Sequence, residues 1–158
     1  MVKCTFITQG ALKEDYLVRA TEEYKKRLSA FAEVTEINLP DERLMTESPA
    51  EVTAALEKEA DRILSRIPDG AYTVALCVEG KEMSSEAFAD TVARARDTSG
   101  KLCFIIGSSY GLSPRVKARA DARISFSKMT FPHGLMRAIL TEQVYRAFTI
   151  LAGKKYHK

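Results

Sequence analysis

Apolar residues recur at two different periods along this chain, and the period changes repeatedly. Short continuous or alternating apolar runs predict β-strands, whereas apolar residues three and four positions apart predict amphipathic helices. The predicted strands are 2–8, 34–39, 72–78, 102–106 and 122–127. The predicted helices are 11–31, 49–67, 85–97, 114–120 and 135–151. This alternation favours an α/β fold with a mostly parallel sheet flanked by helices on both faces.

Local signals delimit these elements but indicate no domain boundary. Ser48, Pro49 and Glu51 form a helix start in which Ser48 caps the helix and Glu51 completes a capping box. The Glu-Gly-Lys tripeptide at 79–81 is expected to turn the chain after the third strand. The chain has no internal repeat, low-complexity segment or linker, so residues 1–158 are expected to form a single domain.

The last predicted helix is apolar on nearly all sides. Such a helix has to be covered all round, and we expect the sheet on one side and a second copy of the chain on the other. Arg137 and Arg146 interrupt its apolar surface. Buried arginines need partners, so interface pairing and anion contact both remain open. Tyr156 and His157 follow a glycine helix stop, which suggests that this tail is used against a partner surface.

The composition excludes several classes of protein. The chain is 46% hydrophobic and 28% charged, as expected of a globular domain, and its net charge of +3 favours an anionic partner only weakly. Cys4, Cys77 and Cys103 form no CxxC pair, so we expect free thiols and no metal site. No run approaches the roughly 18 apolar residues of a membrane span, and no signal peptide is visible. A cytoplasmic protein is therefore expected.

Three loops leave predicted strands at the sheet edge where parallel α/β folds bind ligands. They lie at 76–81, 107–112 and 126–131. The second has neither the P-loop nor the GxGxxG pattern, so a plain strand-to-helix turn and a ligand site both remain open. The third offers hydroxyls, backbone polar groups and an apolar wall, which suit an adenine ring.

Nucleophilic catalysis finds little support in the sequence. There is no GxSxG motif and no cysteine in a basic, exposed setting. Glu79 and Glu82 are expected on a solvated turn rather than as paired catalytic carboxylates. His133 follows a proline at a helix start, where a structural role and a catalytic role both remain open.

Four stretches of the sequence together resemble one family. They are EYKKRL at 23–28, LCVEGKEMSSEAFA at 76–89, FIIGSSYGLS at 104–113 and ISFSKMTFPHGLMRAILTEQVYRAFTILAGKKYHK at 124–158. Through them the chain resembles the ribosomal large-subunit pseudouridine N3-methyltransferases, minimal members of the SPOUT class of trefoil-knotted methyltransferases. The resemblance covers essentially the whole chain, and the terminal stretch is its most specific part.

The resemblance implies a C-terminal trefoil knot and a bent S-adenosylmethionine held by the three loops. The implied cofactor contacts are Leu76, Gly107, Phe126, Ser127, Lys128, Met129, Thr130 and Phe131. The resemblance also implies a homodimer in which the partner's C-terminal tail completes each site. The implied substrate is a pseudouridine of large-subunit rRNA in the assembled ribosome, with no metal and no membrane involved.

The methyl transfer implied by the resemblance needs catalytic groups, for which the side chains near the C-terminus are our candidates. His157 is the candidate general base because the ordinary pKa of histidine lies near neutrality. Tyr156 would stack on the target base or orient it. Arg146 would hold a phosphate or offset the charge that develops on the base.

Two departures and three alternatives stay open. The family often has Gly-Gly where this chain has Gly107-Ser108, and often Asp where Cys77 stands. One alternative is a SPOUT methyltransferase for another rRNA or tRNA base. Another is a non-catalytic, ribosome-associated RNA-binding factor, and the third is a nucleotide-binding α/β domain with no RNA role.

Overall fold

The computed structural model describes residues 1–158 and contains one five-stranded sheet. Its strands are β1 (Val2–Gln9), β2 (Ala32–Leu39), β3 (Tyr72–Glu82), β4 (Lys101–Ile105) and β5 (Ala122–Ser125). They lie in the order β2-β1-β4-β3-β5, and every neighbouring pair is parallel. The predicted α/β class and parallel sheet are confirmed. The trefoil knot implied by the resemblance stays a prediction.

Five helices connect the strands and cover both faces of the sheet. They are α1 (Asp15–Leu28), α2 (Pro49–Arg66), α3 (Ser85–Ser99), α4 (Pro114–Arg119) and α5 (His133–Leu151). Helix α5 packs between α1 and α3 on one face, whereas α2 and α4 pack together on the other. Helix α1 is shorter than the predicted 11–31 because the chain turns at 29–31 and is irregular at 11–14. No helix is long and apolar enough to cross a membrane.

Alternate strand residues fill two hydrophobic cores, one on each face of the sheet. Phe6 stacks on Phe104 in the first core, with ring centroids 5.5 Å apart. Cys4 and Cys103 are fully buried on opposite faces, and burial raises the pKa of both thiols, that of Cys103 to about 12. All three cysteines are free, as predicted.

Helix α2 begins at the predicted residue with a modified cap. The Ser48 hydroxyl accepts from the Glu51 N–H over 3.2 Å, which satisfies one of the unpaired amides of the first turn. The Glu51 carboxylate does not return to the Ser48 amide. It accepts instead from the Thr46 N–H over 2.9 Å, because the Ser48 amide faces the Thr46 hydroxyl. The helix start was predicted correctly, and the closed capping box was wrong.

The chain does not turn at 79–81, so this prediction was wrong. Strand β3 continues to Glu82 and pairs with β5 on both sides of a register shift between Leu76 and Lys81. Gly80 lies at this irregularity, where a Cβ would stand 2.6 Å from the backbone carbon of Ile124. Glycine therefore permits the close approach of β3 to β5, and the expected turn is a bulge.

Replacement of Gly80 by alanine should destabilise the fold without touching any polar group. The added methyl meets strand backbone, which cannot move aside as a side chain end can. We expect a loss of about 1–3 kcal/mol in the free energy of unfolding, the usual cost of overpacking. Chemical denaturation of wild type and Gly80→Ala measures this difference. An unchanged midpoint would show that β5 is free to shift away from β3.

Helix α5 finds much of its cover within its own chain. Phe148 stacks on Phe31 with ring centroids 6.0 Å apart. The buried guanidinium of Arg137 donates to the carbonyl oxygens of Gln9 and Gly10, the latter over 2.7 Å, and burial lowers the pKa of Arg137. In this structure the partners of Arg137 are therefore backbone carbonyls at the end of β1, neither an anion nor a second subunit. Cover of α5 by a second copy stays a prediction.

Candidate active site

A cleft opens at the carboxyl ends of β4 and β5 and beside the middle of β3, which lies between them in the sheet. Its volume of about 670 Å³ lies within the range of roughly 300–1,000 Å³ for small-molecule sites. Seven of the eight predicted cofactor contacts line it, namely Leu76, Gly107, Phe126, Ser127, Met129, Thr130 and Phe131. The eighth, Lys128, is not part of the lining. The loops at 107–112 and 126–131 therefore meet at one site, and the third predicted loop contributes residues 76–79 as part of β3.

The loop after β4 turns tightly against the cleft. Ser108 and Gly111 form an isolated bridge, in which the Gly111 N–H donates to the Ser108 carbonyl over 2.9 Å. A Cβ on Gly107 would lie 2.2 Å from the carbonyl oxygen of Gly111. Gly111 itself has a φ of +88°, a conformation that favours glycine. Both glycines are needed for a turn that leaves bare backbone at the cleft wall.

The loop after β5 has its backbone shaped by two serines. Ser125 donates its hydroxyl to the Ser127 carbonyl over 2.8 Å, and the Ser127 hydroxyl accepts from the Met129 N–H over 3.0 Å. Phe126 packs edge-on against Phe88 of α3, with centroids 6.3 Å apart. The Met129 side chain is 73% exposed although it lines the cleft. This wall combines an apolar surface with fixed backbone donors and acceptors.

Charge in the cleft is confined to one ion pair and one histidine. Glu79 and Lys117 pair at the rim, and the hydrogen bond from Lys117 lowers the pKa of Glu79. Burial raises the pKa of Cys77, so this thiol is protonated at neutral pH. His133 lines the cleft from the first turn of α5. No three His, Cys, Asp or Glu side chains are grouped to hold a metal ion.

The three candidate catalytic residues lie together at the other end of α5. Arg146 donates to Glu142 over 2.9 Å and stands over the Tyr156 ring, 4.8 Å from its centroid. Tyr156 donates its hydroxyl to the same carboxylate over 3.0 Å. His157 contacts Arg146 through Nδ1 at 3.1 Å and Glu86 through Nε2 at 2.7 Å. The tail thus docks on α5 and α3 of its own chain.

These contacts determine which ring nitrogen of His157 carries a proton and whether the Tyr156 hydroxyl keeps its own. A guanidinium can only donate, so Nδ1 of His157 accepts from Arg146 and Nε2 carries the proton that is donated to Glu86. The hydrogen bond from His157 lowers the pKa of Glu86. Burial, together with the bond to Glu142, raises the pKa of Tyr156 to about 12. Tyr156 is therefore a neutral donor at neutral pH, and both ring nitrogens of His157 are occupied by hydrogen bonds.

The cleft and the tail form separate clusters within one chain. The cleft reaches α5 at His133 and Met136, and none of Arg146, Tyr156 and His157 lines it. Arg146 lies ten positions beyond Met136 on the same helix. At 1.5 Å per residue this separation is about 15 Å along the axis. The predicted cofactor contacts and the predicted catalytic residues thus lie in two places, which the structure of one chain does not bring together.

Comparison with known families decides where the chain belongs. The family described as "Predicted SPOUT methyltransferase" matches residues 2–157. The chain belongs to the SPOUT methyltransferase family. Among its relatives is "Ribosomal RNA large subunit methyltransferase H" of Listeria monocytogenes serovar 1/2a, 51% identical over 154 residues, covering 96% of this chain and 97% of the relative. The protein of the same name from Bacillus pumilus is 48% identical over 156 residues and 98% of both chains. The resemblance seen in the sequence is confirmed.

Solved structures support the SPOUT methyltransferase fold at low sequence identity. A probable methylase family protein of Haemophilus influenzae superposes with a TM-score of 0.57 and 11% identity, covering all of this chain and 72% of that one. A probable methyltransferase of Bordetella pertussis gives a TM-score of 0.57 and 15% identity over 92% and 94% of the two chains. At these identities the similarity concerns the fold alone.

The structure also adds residues to the site of this SPOUT methyltransferase that the sequence did not indicate. Lys117 lies on α4 with no motif to mark it, and it reaches the cleft because α4 follows the loop after β4 directly. Glu79 was expected on a solvated turn, yet it lines the rim because β3 runs on past it. Met136, on α5, also lines the cleft.

Proposed function

We propose that this SPOUT methyltransferase uses S-adenosylmethionine to methylate N3 of a pseudouridine in large-subunit rRNA. It acts as a cytoplasmic homodimer on the assembled ribosome. The observation that carries the proposal is the cleft, where the loops after β4 and β5 meet residues 76–79 of the adjacent parallel strand β3, all three segments being matched to the family. The names of the two bacterial relatives, about half identical over nearly the whole chain, support an rRNA substrate.

The lining of the cleft fits the proposed methyl donor. Phe126 and Met129 provide an apolar wall for the adenine face, and the backbone around Ser127 offers polar groups to its edge. The opposite charges of Glu79 and Lys117 match the ammonium and carboxylate of an amino-acid moiety. The donor supplies a methyl group already activated on a sulfonium, so the protein has to bind it and align it with the acceptor.

Activation of the methyl-accepting base requires residues that do not line the cleft. An imide N–H becomes nucleophilic as its proton leaves, and a positioned base contributes roughly 10²–10⁴-fold to such a step. We assign to His157 the role of the base that accepts the imide proton. Tyr156 would orient the target base, and Arg146 would offset the negative charge that develops on it. For His157 to accept a proton, its Nδ1 must leave Arg146 when RNA binds, because Nε2 already carries the proton that is donated to Glu86.

A second subunit would bring the tail to the cleft. Within one chain the two clusters are about 15 Å apart along α5, but a two-fold axis across an antiparallel pair of α5 helices places the end of one helix over the start of the other. Leu135 and Met129 remain exposed near the cleft end of α5, at 37% and 73%, and would be covered in such a pair. The exposed Lys154, Lys155 and Lys158 would then face the RNA.

Methyl transfer to intact ribosomes, compared with deproteinised rRNA, tests the substrate. The net charge of +3 favours an anionic partner only weakly, so we expect the assembled surface to be required and the free rRNA to react at least about tenfold more slowly, a loss of 1.4 kcal/mol in recognition. Mass mapping of the labelled nucleoside should find methyl on a pseudouridine. Label on another base would support the alternative substrate, and absence of donor binding in calorimetry would support a non-catalytic factor.

A further inference from the structure

Three carboxylates hold the outer side of the loop after β4. Here residues 107–113 are called the donor loop. Its Ser108 hydroxyl donates to Glu59 over 2.9 Å, its Tyr110 hydroxyl to Glu47 over 2.9 Å and its Ser113 hydroxyl to Glu57 over 2.5 Å. All three acceptors belong to α2 or to the segment just before it. The donor loop therefore has the cleft on one side and a row of carboxylates on the other.

Glu59 is the buried member of this row. Its residue is 3% exposed, and besides Ser108 its carboxylate accepts from the Glu42 N–H over 2.9 Å. Glu59 takes part in no ion pair in this structure. A buried carboxylate with neutral donors only is costly to desolvate, so the fold gains little stability by keeping one here. Its one contact with the site is the hydroxyl of Ser108, which lines the cleft.

The donor loop needs an external support. Gly107 and Gly111 leave its backbone with more freedom than any other residues would, and a flexible loop loses that freedom when a ligand binds. The bridge between Ser108 and Gly111 closes the loop on itself but does not fix it to the sheet. The bond from Ser108 to Glu59 ties it to α2, which is packed on the sheet through Ala60 and Ile63.

We propose that Glu59 is a positioning residue that holds the donor loop, through Ser108, in the conformation that binds the methyl donor. The proposal rests on the proposed function, since it concerns the same cleft. The role belongs to this chain's own serine at 108, because a glycine there has no hydroxyl to offer. The contacts of Tyr110 and Ser113 hold the rest of the loop.

A double-mutant cycle in the full-length protein tests the proposal. Ser108→Ala removes the hydroxyl, and we expect it to weaken binding of S-adenosylhomocysteine about tenfold in calorimetry, because the donor loop loses its hydrogen bond to Glu59. Glu59→Gln presents an amide N–H₂ to one of the two donors and should weaken binding less. The double variant should bind no more weakly than Ser108→Ala alone. Ser65→Ala, the same change on the exposed side of α2, should bind as wild type does.

The outcomes separate the two hypotheses. Weaker binding by Ser108→Ala with an unchanged melting temperature, and no further loss in the double variant, supports the positioning role. Equal affinity of wild type and Ser108→Ala overturns it, as do additive losses in the double variant. If the wild-type protein binds no S-adenosylhomocysteine at all, the proposed function fails as well, and both hypotheses are abandoned.

Discussion

Replacement of Gly107 by alanine should weaken binding of S-adenosylmethionine by about 10- to 100-fold. The added Cβ would lie 2.2 Å from the Gly111 carbonyl oxygen and 2.6 Å from its carbon, so the backbone of the turn has to open. Overpacking of this kind costs about 1–3 kcal/mol, and the strain falls on the loop that forms the cleft wall. Titration calorimetry with S-adenosylmethionine measures the loss directly.

Gly134→Ala is the matched control for this change. Gly134 is buried in the first turn of α5 without lining the cleft. Its added Cβ would meet the end of the Leu12 side chain at 2.9 Å, which can move, and alanine favours a helix. Affinity close to wild type is expected there. Wild-type affinity in Gly107→Ala would mean that the turn is not the donor site.

The strands of the sheet could be located well from the sequence, because each strand depends on a local pattern of apolar residues. The apolar runs that end at Val78, Ile106 and Ser127 identified the three segments that meet in the cleft. The course of β3 could not be predicted in this way. Its extension past Gly80 depends on pairing with β5, more than forty residues later in the chain, and an isolated Glu-Gly-Lys tripeptide is equally compatible with a turn.

The contact between Glu59 and the donor loop could not be predicted from the sequence either, because it also joins residues that are far apart in the chain. Glu59 lies among alternating charged residues of α2, a pattern typical of a solvated helix face. Its hydrogen-bond partner Ser108 is 49 positions away and approaches only when the sheet has formed, so the contact cannot be seen in the local sequence. The C-terminal cluster shows the reverse case, since its residues were identified through the resemblance, while their contacts with Glu142 and Glu86 required the structure.

Deletion of residues 156–158 should abolish methyl transfer and spare donor binding. The deletion removes Tyr156 and His157, which touch neither the cleft nor the donor loop of their own chain. We expect the transfer rate to fall by about 100-fold or more, the contribution of a positioned base. Affinity for S-adenosylmethionine should stay within about twofold, since no lining residue is lost. Single-turnover methylation of ribosomes and calorimetry give the two values.

A mixed dimer distinguishes a tail that serves the partner from one that serves its own chain. Co-expression of Gly107→Ala and tail-deleted subunits under different affinity tags allows the mixed dimer to be purified. If each tail completes the partner's cleft, this dimer has one intact site, and activity should return to about half that of wild type. If each tail serves its own cleft, one site lacks its tail and the other binds the donor weakly, so at a donor concentration near the wild-type Kd the mixed dimer stays far below half of wild-type activity. A dimer of two tail-deleted subunits is the control, and its inactivity is required for either conclusion.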